Sequence, residues 1–272
     1  MPTAKLRNVE MYYEIHGEGD PLVLVCGLSI DHRFWQAQIR GLSQEFQVIV
    51  FDNRDTGQTT FAATEYGIDE LADDLADFLQ ELKIEKVHLL GFSMGGFIAQ
   101  SFAARYPEKL KSLILAATAA KVSNRTRRVT INWLTVCAHL SREDALKEMF
   151  LWVYSAKFYE NDQNWRKLLD QFLSMPPAQT QEQFERQARS LRQHDLTHFA
   201  QQIKTPTLVL VGTEERVFTV QDCTDLANLI EGAELHVFEG LAHNFCVEDP
   251  RTVNDKIASF CHKHKIVATN RN

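Results

Sequence analysis

The sequence predicts an α/β fold in which a mostly parallel, twisted sheet is covered by helices and interrupted once by an inserted helical block. Three features of its 272 residues carry this expectation. Short apolar runs alternate with helical patterns from the start to about residue 118, the strand signal vanishes from about 119 to 200, and it then returns. The expected organisation is a core made of residues 1–118 and 201–272, with a helical cap, 119–200, inserted in it. Hydrophobic residues at 44% and charged residues at 24% match an ordinary globular chain, which argues against a fibrous, disordered or membrane class.

The strand-like runs are Val9 to Ile15, Leu22 to Val25, Val48 to Phe51, Val87 to Leu90 and Ser112 to Ala116, followed after the interruption by Thr207 to Val211 and Leu235 to Phe238. Most are continuously apolar, as strands buried on both faces must be. Ile68, Leu71, Leu75, Phe78, Leu79 and Leu82 recur at spacings of three and four, which places one apolar stripe on a helix ending near Lys83. Asp69, Asp73, Asp74 and Asp77 fall mostly on its other side and are expected to form a solvated face. The interrupting block reads as several helices rich in large aromatics: Trp133, Trp152, Tyr154, Phe158, Trp165 and Phe172. Ser141-Arg142-Glu143-Asp144 has the form of a capping box, and Met175-Pro176-Pro177 must break a helix in the middle of the block. A helix from about Asp249 to His264 closes the chain.

The net charge of -7 disfavours nucleic acid, whose phosphates require clustered Lys and Arg, and fits a small-molecule substrate better. The N-terminal residues contain no apolar leader-type run, and the longest apolar stretch, around Leu113 to Ala120, is far short of the roughly 20 residues a membrane helix needs. No membrane partner is expected, and the cytoplasm is the expected compartment. Cys26, Cys137, Cys223, Cys246 and Cys261 are odd in number, widely spread and without metal-type spacing, so reduced thiols and no metal site are expected.

Val87-His88-Leu89-Leu90 runs directly into Gly91-Phe92-Ser93-Met94-Gly95-Gly96, a G-x-S-x-G pattern between a strand and a helix. A serine on so sharp a turn occupies a strained backbone, and glycines two residues to either side remove side chains that would clash. The turn aims the hydroxyl outward and sets the Met94 backbone N–H at a helix N-terminus, where unpaired donors favour developing negative charge.

In this context the chain resembles the α/β-hydrolase superfamily along essentially its whole length. Val23-Leu24-Val25-Cys26-Gly27-Leu28 is similar to the family's His-Gly loop, with Cys26 in place of the His, and implies that the Leu28 backbone N–H is the second oxyanion donor. Cys26 itself is either a buried thiol or a second nucleophile. Phe51-Asp52-Asn53-Arg54-Asp55-Thr56-Gly57-Gln58-Thr59 resembles the D-x-R-G-x-G-x-S turn, with Asp55 in place of Gly and Thr59 in place of Ser. Thr205 to Glu215 resembles the strand that delivers the triad acid and implies Glu215 in that role, where the family pattern has Asp; the neighbouring Glu214 is the alternative. Gly240-Leu241-Ala242-His243 resembles the loop carrying the catalytic base, so that Ser93, Glu215 and His243 follow the family's chain order. The size, the single helical block and the run Gln193-His194-Asp195-Leu196 look like the 3-oxoadipate enol-lactonase and small carboxylesterase group.

The resemblance implies a serine hydrolase that cleaves a small carboxylic ester or lactone through an acyl-enzyme, with no cofactor. A triad-bearing C–C hydrolase or perhydrolase, or a non-catalytic ligand-binding protein on the same fold, are the alternatives. Trp133, Trp152 and Phe158 are the expected substrate-binding aromatics. Arg125, Arg127 and Arg128 are either a carboxylate clamp or solvated helix charges.

Overall fold

The computed structural model describes residues 2–191 and 194–265, so Gln193 of the Gln193–Leu196 run lies outside the described residues. Eight strands, β1 (Thr3–Lys5), β2 (Glu10–His16), β3 (Asp20–Val25), β4 (Phe46–Phe51), β5 (Val87–Phe92), β6 (Leu110–Ala116), β7 (Thr207–Gly212) and β8 (Glu234–Phe238), form one sheet. Its order is β1-β2-β4-β3-β5-β6-β7-β8. Every strand expected from the sequence is present within two residues of its expected ends. The addition is β1, a three-residue edge strand in which only Ala4 is buried, too short to register as a pattern. β1 pairs with β2, and β2 with β4, in antiparallel fashion. From β4 through β3, β5, β6 and β7 to β8 all pairs are parallel.

Successive side chains of a strand point to opposite faces, and the core divides accordingly. Val23, Val25, Leu89, Leu113, Leu115, Val209 and Val211 face one layer, packed by helices α2 (Ile68–Glu81), α3 (Met94–Arg105) and α10 (Val220–Leu229). Leu22, Leu24, Leu90, Ile114, Leu208 and Leu210 face the other, packed by α1 (Gln36–Leu42) and α12 (Pro250–Lys263).

Between β6 and β7 the chain forms α4 (Asn124–His139), α5 (Arg142–Val153), α6 (Ala156–Tyr159), α7 (Asp162–Ser174), α8 (Gln181–Leu191) and α9 (Thr197–Ala200), and a four-residue α11 (Phe245–Glu248) follows β8. The Pro176-Pro177 break falls between α7 and α8. Ser141 accepts the Asp144 N–H at the start of α5, but the Asp144 carboxylate returns to the Ser141 hydroxyl rather than to its backbone. Phe150, Tyr154 and Leu169 give the helical block a small core of its own. Among the described residues no helix is long and apolar enough to cross a membrane.

The acidic side of α2 is only in part the solvated face the sequence suggested, since the Asp73 side chain stays partly exposed while Asp69 and Asp74 are drawn into contacts. Asp69 accepts from the Ser101 hydroxyl at 2.6 Å, Asp73 pairs with Arg105 at 2.7 Å, and Asp77 pairs with Arg7 at 3.2 Å. Asp74 is buried and receives Arg54 in a two-pronged contact at 2.6 and 2.7 Å. The reason is positional: at Asp69 and Asp74 this flank of α2 meets α3 and the turn after β4, and a carboxylate that loses water there must gain a partner.

Candidate active site

Because β3, β5, β7 and β8 run parallel, the loops leaving their carboxyl ends open on the same edge of the sheet, where ligands of open α/β folds bind. The four loops carry Gly27-Leu28, Ser93, Glu215 and His243.

Ser93 sits between β5 and α3 with φ 55° and ψ -117°, a backbone that a non-glycine residue adopts only when its surroundings enforce it. Two backbone bonds hold it: the Ser93 N–H donates to the Ala116 carbonyl, and its own carbonyl accepts the Gly96 N–H, both at 2.9 Å. The flanking glycines have a steric reason. A β-carbon on Gly95 would run into the carbonyls of Val25 and Cys26, and one on Gly91 into Gly95 and Ala99, so α3 can start this close to β3 and β5 only without them. The same geometry brings the next loop alongside, since a β-carbon on Gly27 would lie 3.0 Å from Ser93 Cβ. Met94 opens α3, and its N–H is among those a helix leaves without an intrahelical acceptor. Leu28 packs on the same apolar cluster as Met94.

His243 and Glu215 meet side chain to side chain. The imidazole Nδ1 lies 2.7 Å from Glu215 Oε2, with the carboxylate fully buried and the ring nearly so. The other oxygen, Oε1, accepts the backbone N–H groups of Val217 at 2.6 Å and Phe218 at 3.2 Å. Three donors thus compensate a buried charge. With Nδ1 committed as donor, Nε2 is left as the acceptor of the neutral ring. The ring packs against Phe92, the residue before Ser93, at 4.9 Å between centroids.

Glu214, the alternative acid, points elsewhere: its carboxylate accepts the Ala156 N–H at 2.8 Å, at the start of α6. It belongs to a second set of ties, between the helical block and the loops of the site. Asn244 donates its backbone N–H to the Val153 carbonyl, Arg216 donates to the Leu151 carbonyl, and Glu248 joins the Ser155 hydroxyl and N–H to the Ala242 N–H. Burial raises the Glu248 pKa above its ordinary value, although those hydrogen bonds oppose it. Cys26 is fully buried, and burial, then the charges of Asp52 and Asp31, hold its thiol well above the ordinary range. That environment suits a packed thiol, not a thiolate nucleophile.

Of the three expected aromatics, Trp133 is buried in the large cluster that also holds Met94 and Phe218, and Trp152 packs against that cluster. Phe158 is taken up instead by the block's own core, stacked on Tyr154 at 4.4 Å. Arg125 and Arg128 are exposed, and Arg127 bonds to Asn124 of its own helix. Gln187 on α8 is a residue the sequence did not single out; it is fully buried against the loop after Leu28.

The Acinetobacter baylyi 3-oxoadipate enol-lactonase 2 is 28% identical over 262 residues, covering 94% of each chain. A Rhizobium rhizogenes protein provisionally named carbamate hydrolase RutD is 26% identical over 255 residues, covering 92% of this chain and 97% of its own. In fold, the crystal structure of the enol-lactonase from Burkholderia xenovorans LB400 superposes with a TM-score of 0.86 at 24% identity, over 96% of this chain and 100% of that one. The family defined by the alpha/beta hydrolase fold matches residues 20–250, and the chain belongs to it.

Proposed function

We propose that this member of the α/β-hydrolase family is a serine hydrolase that cleaves a small carboxylic ester or lactone through an acyl-enzyme. The observation that carries the reading is the buried His243–Glu215 pair at 2.7 Å, its imidazole packed on Phe92, the residue before a serine held in a strained strand-to-helix turn. In this reading His243 Nε2 takes the proton of Ser93 Oγ as the oxygen attacks the carbonyl carbon. The Leu28 and Met94 N–H groups receive the oxyanion, and Glu215 holds the imidazole and stabilises its charged form. The alkoxide leaves with the proton from His243, and water, activated by the same imidazole, releases the acid. Residues 119–200 act as a cap whose Trp133 and Trp152 face the substrate's apolar part.

The relative named as an enol-lactonase supports the ester and lactone class. A carbamate is a second reading, favoured by the relative provisionally named for that substrate and open to the same attack at carbon. Labelling with a fluorophosphonate probe, followed by turnover of a panel of p-nitrophenyl esters, lactones and carbamates, tests both. Labelling at Ser93 with ester or lactone turnover is the expected result; labelling with carbamate turnover alone would select the second reading, and no labelling would reject both.

A further inference from the structure

The loop bearing the proposed oxyanion donor Leu28 is held from the cap through a buried amide. Gln187 of α8 accepts the Ser29 N–H on its side-chain oxygen at 2.9 Å, and its nitrogen donates to the Thr56 hydroxyl at 3.0 Å. Gln179 steadies the arrangement, donating to the Gln187 oxygen at 3.1 Å and to the Asp55 carbonyl at 2.8 Å. Ser29 has φ 61°, the left-handed region that costs a non-glycine residue about 1 kcal/mol or more, so this turn requires an outside tie. The tie falls on the peptide that follows Leu28, and fixing that peptide restricts how the Leu28 backbone can rotate. The neighbouring turn is bound to the cap as well, by the Gly57 N–H on the Ala178 carbonyl at 2.7 Å and by Arg186 on Asp55 at 2.7 Å.

We propose that Gln187 is a positioning residue for the oxyanion hole, so that the hole is supported in part from the cap. The proposal rests on the serine-hydrolase reading. It predicts a rate effect, because the donor direction matters most where negative charge develops and little in ground-state binding.

The test compares Gln187→Met, which keeps length but removes the acceptor, with Thr56→Val, which removes the amide's other partner. Both are assayed for kcat and KM on a p-nitrophenyl ester, for the rate of fluorophosphonate labelling, and for urea unfolding. Gln187→Met should lower kcat and labelling by about 10- to 100-fold with KM within about twofold, short of the ~10²- to 10³-fold loss of an oxyanion donor removed outright. Thr56→Val should keep kcat within about twofold. Wild-type kcat in Gln187→Met, or equal losses in both variants matched by equal losses of stability, would overturn the proposal. Should Gln187→Met fail to fold, Gln187→Asn, one methylene too short to reach Ser29, takes its place with the same two outcomes. A wild type that is neither labelled nor active rejects the serine-hydrolase reading and this proposal with it; an active wild type with an equally active Gln187→Met rejects this proposal alone.

Discussion

Glu215 holds the imidazole with one oxygen and two backbone N–H groups with the other, and its substitutions therefore separate geometry from charge. Glu215→Gln keeps the shape but removes the charge that stabilises the imidazolium, and should lower kcat on the order of 10⁴-fold. Glu214→Gln should change turnover little, because its carboxylate ties the Ala156 N–H and not the imidazole. Glu215→Asp pulls the carboxylate back by about 1.5 Å. It must then give up either His243 or the Val217 and Phe218 N–H groups, so an intermediate loss of activity is expected. Steady-state kinetics on the three variants checks this, and a large loss in Glu214→Gln would move the acid by one position. Ser93→Ala should fold and lose activity on the order of 10⁶-fold, as when a triad nucleophile is removed; turnover near the wild-type value would remove Ser93 from the mechanism.

The turn after β4 shows what one element does for another. Asp55 stands where the family pattern has Gly, at φ 65°, and is fully buried. Its carboxylate pairs with Arg186 of α8 and accepts the Ala62 N–H, so the strain of the turn is offset by a link to the helical block. Arg186→Met leaves that carboxylate buried without its cation and should cost about 3 kcal/mol in urea unfolding. In an Asp55→Gly background the same change should cost little, since no charge is left behind and glycine suits the conformation; additive losses would show that the pair is not coupled. The elements that the sequence revealed are those governed by local rules: the strands by their apolar runs, the Ser93 turn by its glycines, the break after α7 by Pro176 and Pro177. Gln187 escaped because its meaning lies in Ser29, 158 positions away, and a buried glutamine has no pattern of its own. Asp69 and Asp74 of α2 depart from the expected solvated face for the same reason, since spacing alone gives their side of the helix but not the presence of Ser101 and Arg54 there.

Across the whole molecule the two sheet faces are packed by different helices, and a titratable group enclosed between layers links stability to pH. His88 points from β5 into the interior with its side chain fully buried. Nδ1 lies 2.8 Å from the Ser112 hydroxyl, and Nε2 is 3.8 Å from Asp20, too far for a hydrogen bond. Burial first, then the Lys111 ammonium, push its pKa down to about 4, against the weaker pull of Asp20. The sign follows from proton counting. Between about pH 6.5 and 4 the unfolded chain binds a proton at this position that the folded chain refuses, so folding stability is present above that window and falls as the pH drops through it. The loss attributable to His88 is no more than about 3 kcal/mol. His32 works in the opposite sense: burial disfavours its charge, but Asp52 and Asp31 raise its pKa overall, so protonation there favours the folded state. Measuring a difference between variants removes this second contribution. Urea unfolding at several pH values should give a shallower pH slope for His88→Gln than for wild type between pH 6.5 and 4, with the two lines parallel above about pH 7. Parallel lines throughout would mean that His88 is protonated without cost and that water or Asp20 reaches it in the folded chain.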